Sequence, residues 1–237
     1  MLKRRETSRK LRFFNKAGSV LLYDTAFNGP WTLTSYSLSA PERVTNYVTI
    51  PGRDGEVDLS AAISDEPQYK NRRLVALFEN SDGKKADREA LISDVMNRLN
   101  GRYFRIFTPD DAIRYLTGYV QVSVKYSDVN HCAIEISASV DPWRESIDRV
   151  FFDVEASSTA KTIRLINNGG RRVIPSISAY TGTATPPDIT ITCGDYTAHP
   201  TADAIKPPEL AMGYKDDKLL TYSGSGHLVI VWKEASL

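Results

Sequence analysis

The stretch Tyr47-Val-Thr-Ile-Pro-Gly-Arg-Asp-Gly-Glu-Val-Asp-Leu-Ser60 sets two short strand-like runs on either side of a glycine-rich centre. It reads as a strand ending at Ile50, a turn over Pro51 to Gly55, and a second strand from Glu56 to Leu59. Pro51-Gly52 and Asp54-Gly55 are both turn dipeptides, because Pro presets φ and Gly accepts φ > 0. Downstream, Arg73-Leu-Val-Ala-Leu-Phe-Glu79 gives a third strand. A charged loop from Asn80 to Lys85 then leads into a single helix, and strands resume at Tyr103.

Working outward, Leu11 to Phe14 and Val20 to Tyr23 flank a short loop, Asn15 to Ser19, and predict a hairpin. Trp31 to Leu38 alternates, with Trp31, Leu33 and Ser35 on one face and Thr32, Thr34 and Tyr36 on the other. Leu74, Ala76 and Phe78 share one face of the third strand and Val75 and Leu77 the other. A strand apolar on both sides is expected between layers. The helix spans about Lys85 to Asn100. Leu91, Val95 and Leu99 form its apolar stripe, Ile92 and Met96 widen it, and the charges at 87, 88, 89, 94 and 98 fall mostly off it. Asp87 and Arg98 suit the helix dipole, and Gly101 suits a C-terminal cap. Tyr103 to Phe107, Tyr115 to Tyr126 and Cys132 to Val140 continue as strands until Asp141-Pro142-Trp143 stops the sheet, since Pro cannot donate to a ladder.

The boundary between two domains is placed near residue 148, giving domains 1–148 and 149–237. The second reads as all-β, with strands at Val150 to Val154, Lys161 to Ile166, Val173 to Ala179, Asp188 to Thr192, Lys218 to Tyr222 and Leu228 to Trp232. Asn167 to Gly170, Thr185 to Pro187, Pro207-Pro208 and Ser223 to Gly226 read as the turns between them. That spacing suggests a small β-sandwich.

The segment Ile50 to Leu59, with the order of elements that follows it, resembles the N-terminal domain of the distal tail protein (Dit) family of long-tailed, non-contractile bacteriophages. The resemblance covers roughly residues 11 to 145. It implies a mainly β fold with one helix, in which the first domain closes a hexameric ring around the tail channel. The second domain is implied to be a β-sandwich likened to galectins, with Asn168-Gly-Gly-Arg-Arg-Val-Ile-Pro175 similar to its early strands. The implied role is structural. The ring sits at the virion tail tip, is assembled in the host cytoplasm, and links the tail tube to the host-adsorption apparatus. The implied partners are copies of the chain, the tail tube protein and the tail-associated or receptor-binding proteins. Nucleic acid meets the ring only by passage through the channel, and no membrane is involved. Heterologous contacts between identical subunits would close the ring. The turn Arg53, Asp54, Gly55 and Glu56 is the candidate interface, with Arg72 and Arg73 as its charge partners.

Composition fits a folded protein: 237 residues, 41% hydrophobic and 25% charged, with a formal net charge of +1. Disorder of the whole chain is therefore not expected. The first sixteen residues concentrate seven cations (Lys3, Arg4, Arg5, Arg9, Lys10, Arg12 and Lys16) against one acid, Glu6. Such an arm suits phosphate binding or a solvated tail that orders against a neighbouring subunit. The start lacks the apolar run of a secretory signal, and no stretch reaches the ~20 apolar residues of a spanning helix. Cys132 and Cys193 are far apart and outside any CxxC spacing, which predicts two buried free thiols.

Catalytic and metal chemistry finds little support in the residue pattern. His131, His199 and His227 show no metal-ligand spacing. His131 and Cys132 are neighbours that point to opposite faces of a strand. Glu56 and Asp58 share a strand face, which suits a cation or acid-base work, or simply an exposed polar face opposite Val57 and Leu59. Asn168 to Gly170 and Ser223 to Gly226 open no helix, so they are not phosphate loops. No enzyme, cofactor or metal site is assigned. Two alternatives remain open: a carbohydrate-binding module for a host surface glycan, using Trp232 or Tyr196 beside His199 as an aromatic plate, and a hydrolase using Glu56 and Asp58.

Overall fold

The computed structural model describes residues 10–26, 31–60, 67–81, 84–128, 130–183 and 185–237. The chain divides into two compact units, one ending at Arg144 and the other beginning at Glu145. Residue 148 lies within the first strand of the second unit.

The first unit runs through β1 (Arg12–Phe14), β2 (Leu21–Asp24), β3 (Thr32–Leu38), β4 (Tyr47–Thr49), β5 (Glu56–Asp58), β6 (Arg72–Asn80), helix α1 (Lys85–Leu99), β7 (Tyr103–Thr108), β8 (Asp111–Ser127) and β9 (Cys132–Val140). Seven of these strands form an antiparallel sheet in the order β3-β6-β9-β8-β7-β1-β2. The β4–β5 pair is a separate two-stranded ribbon.

The period-two pattern puts one face of this sheet into a core. Leu74, Ala76 and Phe78 of β6, Ile134, Ile136 and Ala138 of β9, and Val120 and Val122 of β8 all join it. Both edge strands reach the same core, with Tyr23 from β2 and Leu33 and Tyr36 from β3. Burial pushes the Tyr23 hydroxyl pKa up to about 12. Val75 and Leu77, expected between layers, are only half-buried. The alternation read for β3 also changes along the strand. A β-bulge between Leu33 and Ser35 shifts the register, so that Leu33, Tyr36 and Leu38 all pack against the core. An extra residue in one strand reverses the alternation beyond it.

Helix α1 covers the core face. Its buried residues are Arg88, Ile92, Val95 and Leu99, while Leu91 and Met96 flank them half-buried. The stripe therefore follows i, i+4, i+7, i+11 from Arg88, and Leu91 sits beside it. Arg88 was expected off the stripe. It is buried because its guanidinium turns to a backbone acceptor, with Nη2 donating to the Asp128 carbonyl at 3.3 Å. The Asp87 carboxylate accepts the Lys84 N–H at 3.1 Å, which satisfies one orphan donor at the helix start. At the other end Gly101 takes φ +74°, and its N–H donates to the Val120 carbonyl at 2.8 Å. The Asn100 side chain accepts from the Val122 N–H at 3.0 Å. These bonds fix the end of α1 to β8.

The second unit contains β10 (Arg144–Ala156), β11 (Lys161–Ile166), β12 (Ser176–Tyr180), β13 (Asp188–Cys193), β14 (Tyr196–Ala198), a 3-10 turn (Pro208–Leu210) and β15 (Asp217–Ser236). Two strands expected at Lys218 to Tyr222 and Leu228 to Trp232 are one strand of 20 residues. Its first half pairs with β11 and β13, its second half with β12. β15 thus passes from one sheet to the other, and Gly224 and Gly226, expected in a turn, form the corner with φ +127° and +119°. Leu165, Ile177, Ile189, Ile191, Leu220 and Ile230 fill the core between the sheets. Asn167 closes one end of it. Fully buried, its amide nitrogen donates to the carbonyls of Arg171, Met212 and Gly213 at 2.8 to 3.1 Å, and its oxygen accepts the Gly169 N–H at 3.0 Å.

Candidate functional site

The β4–β5 ribbon is exposed along nearly all of its length. Residues 42–44 and 68–70 form its stem: the Val44 N–H donates to the Gln68 carbonyl and the Lys70 N–H to the Glu42 carbonyl, both at 2.8 Å. The Lys70 ammonium also meets Glu42 at 2.6 Å. Beyond the stem, Leu59 N–H donates to Asn46 O at 2.8 Å and Asn46 N–H to Ser60 Oγ at 2.7 Å. Asp58 accepts from the Ser60 hydroxyl and backbone N–H and lies 3.5 Å from Arg43. The Ser60 bonds, ahead of the Arg43 charge, hold the Asp58 pKa below the usual carboxylate range. Its negative charge is thereby committed to locking the base of the ribbon.

The turn is built as its residues require. Arg53 N–H donates to Ile50 O at 3.1 Å, and Gly52 and Gly55 take φ +83° and +80°. Arg53, Asp54, Gly55 and Glu56 are all exposed. The side chains of Arg53, Asp54 and Glu56 make no ion pair among the described residues. Behind this charged tip Tyr47 is 55% exposed, and Val48, Ile50 and Leu59 are exposed as well. A ribbon that leaves four large apolar side chains in water presents a surface suited to protein contact.

Arg72 and Arg73 lie elsewhere and differ from one another. Arg72 is buried, and its Nε donates to Ser39 O at 2.7 Å. Burial, then the charge of Arg144, pushes its pKa down. It is tied within its own unit, and Arg73 is the exposed member of the pair. Arg73 lines a shallow hollow of about 330 Å³ on the sheet with Tyr119, Gln121, Ser137 and Ser139. The edge strand β2 and the residue before it add a second apolar surface, with Val20, Leu21 and Leu22 each 40% exposed or more. Sequence reasoning had placed these three in a hairpin without marking them as surface. The signal available was three apolar residues in a row at a sheet margin.

The basic start is partly absorbed into the fold. Lys10 pairs with Asp24 at 2.9 Å, Arg12 lies over the Phe107 ring and Lys16 over the Tyr103 ring. Lys3, Arg4, Arg5 and Arg9 lie outside the described residues. The other singled-out residues are dispersed. His131 pairs with Asp128, His199 with Thr190, and His227 with Asp153. Among the described residues no three His, Cys, Asp or Glu side chains cluster as metal ligands. Both cysteines are free; Cys132 is buried and Cys193, expected buried, is half-covered. Of the two proposed aromatic plates, Trp232 is buried, while Tyr196 is half-exposed and His199 exposed. Trp232 is 4% exposed and stacks on Phe152, and Tyr196 packs against the core of its unit.

A feature absent from the sequence reading lies in the second unit. An open groove of about 610 Å³ runs over the outer face of β12 and β15 and is ringed by Arg149, Arg171, Arg172, Lys206 and Lys233. Its cations come from four separate stretches of sequence, so no local run announced it.

The chain is thus a two-unit, mainly β protein with one helix, whose prominent features are surfaces for contact. No family model and no curated protein sequence matches it. Among solved structures it is similar to the SPP1 Dit protein, a paradigm of the hub adsorption apparatus in Gram-positive-infecting phages. The TM-score is 0.64 at 15% identity, covering 96% of this chain and 99% of that one. It is also similar to a chain of the phage p2 baseplate in its activated conformation with Sr, at 8% identity over 95% of this chain and 97% of that one. There the TM-score is 0.37. The Dit-like fold read from the order of elements over residues 11 to 145 agrees with this similarity, which extends over nearly the whole chain.

Proposed function

We propose that this protein is a structural component of a bacteriophage tail tip, a hub that forms a ring between the tail tube and the adsorption apparatus. The observation that carries the proposal is the end-to-end fold likeness to a Dit hub protein at a TM-score of 0.64. The surfaces fit that reading. A ring of identical subunits needs two different patches on each copy. The ribbon, with its apolar flank and charged tip, supplies one. The apolar edge of β2 or the outer face bearing Arg73 and Tyr119 supplies the other. In this reading the first unit closes a hexameric ring and the second lies outside it, with the tube protein and adsorption proteins as partners.

Light scattering at micromolar concentration, alone and with a tail tube partner, tests the ring. Hexamers are expected in at least one setting, and a monomer in both overturns the proposal. Replacing the tip, with Arg53→Glu and Glu56→Lys together, should leave the subunit folded but weaken assembly. Screening should shrink the charged part of that loss at high salt.

A further inference from the structure

We propose that the groove of the second unit binds an anionic carbohydrate polymer, one whose sugars or polyols carry phosphate or carboxylate groups. The hub reading does not require such a ligand, and the groove lies wholly within the second unit.

Charge is the first argument. Five cations border the groove against one carboxylate, Glu145, in a chain whose net charge is only +1. Arg171 and Lys233 both approach Glu145 at 3.9 Å, a single acid shared between two cations. Arg149, Arg172 and Lys206 make no ion pair among the described residues. Like charges held together are unfavourable unless an anion joins them. The arginines also offer planar forks that match phosphate and carboxylate oxygens.

Shape and lining select the polymer. Ser176 and Ser178 of β12 lie opposite Val231 and Val229 of β15. Their neighbours Ile177, Ala179, Ile230 and Trp232 point into the core, so the serines and Val231 lie on the groove side. Ala204 extends this floor of small side chains, with Lys206 beside it. Hydroxyls over a small-residue floor suit a polyol lying along the sheet. A neutral sugar would want an exposed aromatic ring, whereas Trp232, the aromatic among the groove's lining residues, is 4% exposed with its ring stacked on Phe152. The same lack counts against single-stranded nucleic acid, whose bases stack on aromatics. An acidic peptide gains its main-chain bonds at a sheet edge, whereas this floor is a sheet face.

The test titrates the full-length protein with polygalacturonate, phosphorylated dextran, neutral dextran and polyglutamate, read by calorimetry and by amide chemical shifts. The expected result is binding of polygalacturonate or phosphorylated dextran, with shifts at Ser176, Ser178 and Lys206. The polymer that binds identifies carboxylate or phosphate as the preferred anion. Neutral dextran should not bind, and polyglutamate should bind at least tenfold more weakly per charge. Arg172→Glu with Lys206→Glu should weaken binding by tenfold or more with an unchanged melting transition. Ser178→Tyr, which keeps the charge and fills the floor, should lose the polymer as well, so the proposal does not depend on the charge-reversed protein folding. No binding of either anionic polymer overturns it. So does polyglutamate binding equally well, or tight binding retained by Ser178→Tyr. Each readout works on a monomer, so failure of the ring and failure of this site are seen separately.

Discussion

Gly52 and Gly55 at the tip of the ribbon and Gly224 and Gly226 in β15 all take positive φ, and all four sit between strand-forming runs. In the ribbon the runs on either side pair with each other, Tyr47 with Asp58 through Thr49 with Glu56, and the chain reverses. In β15 they do not pair. Asp217 to Tyr222 faces β11, and His227 to Val231 faces β12. The chain therefore bends and continues into a second sheet. The surroundings differ to match. A Cβ on Gly55 would meet nothing within 4 Å, whereas one on Gly224 would lie 1.9 Å from the Asp188 carbonyl oxygen of β13. The same backbone freedom makes an exposed arm in one region and a packed corner in the other. What decides between them is which other strands compete for the flanks.

The largest effect expected from this contrast is at the corner. Gly224→Ala combines a positive-φ strain of about 1–3 kcal/mol with a backbone clash, and should cost well above about 3 kcal/mol in chemical denaturation. Gly55→Ala carries only the left-handed strain, about 1–2 kcal/mol, and much of that stays local to the ribbon. Equal losses at the two sites would erase the distinction between arm and corner.

The helix sharpens the same point at intermediate size. Periodicity alone favours Leu91, while burial favours Leu99, which is fully covered. Leu99→Ala should cost about 2–5 kcal/mol, and Leu91→Ala clearly less, because its side chain is already partly in water. A larger loss at Leu91 would mean that the stripe is centred where the repeat of four places it, and not on Ile92, Val95 and Leu99.

The smallest effect concerns acid. The Asp58 pKa is depressed in the folded ribbon, chiefly by Ser60. The sign follows from linkage: a depressed carboxylate contributes stability above its unfolded pKa and loses it as pH falls through the folded value. Protection of the Asn46 and Leu59 amides against exchange, relative to a free amide at the same pH, should therefore fall below the ordinary aspartate range, while the β15 corner is unaffected. Asp58→Asn should remove the pH dependence. Fraying of corner and ribbon at the same pH would show that the ribbon is not a separate element.

Much of the fold was legible because its signals are local. The helix from Lys85, the end of β9 ahead of Asp141-Pro142-Trp143 and the turn at Pro51 to Gly55 each rest on neighbouring residues, although the sheet expected to stop there takes up β10 as a further strand. The bulge in β3 and the short strand β14 were not, since register depends on the partner strand. The exposure of Arg53 to Glu56 at the ribbon tip follows from the turn residues beside them, but nothing near Arg72 in sequence shows that Ser39 O would bind its guanidinium. The basic groove was invisible for the same reason, its five cations being distributed from Arg149 to Lys233.

By itself, then, the sequence determined a mainly β chain with one helix, the positions of most strands, and the element order that marks the Dit fold. These follow from side-chain periodicity and from the backbone preferences of Gly and Pro, which act over a few residues. Tertiary structure alone decided that Gly224 and Gly226 bend a strand while Gly52 and Gly55 reverse one. It also decided that Arg88 is buried beside apolar residues and that distant cations line one groove. Each of these depends on a partner far away in the chain, and the energy of burial, pairing and charge is set by what a residue meets in space.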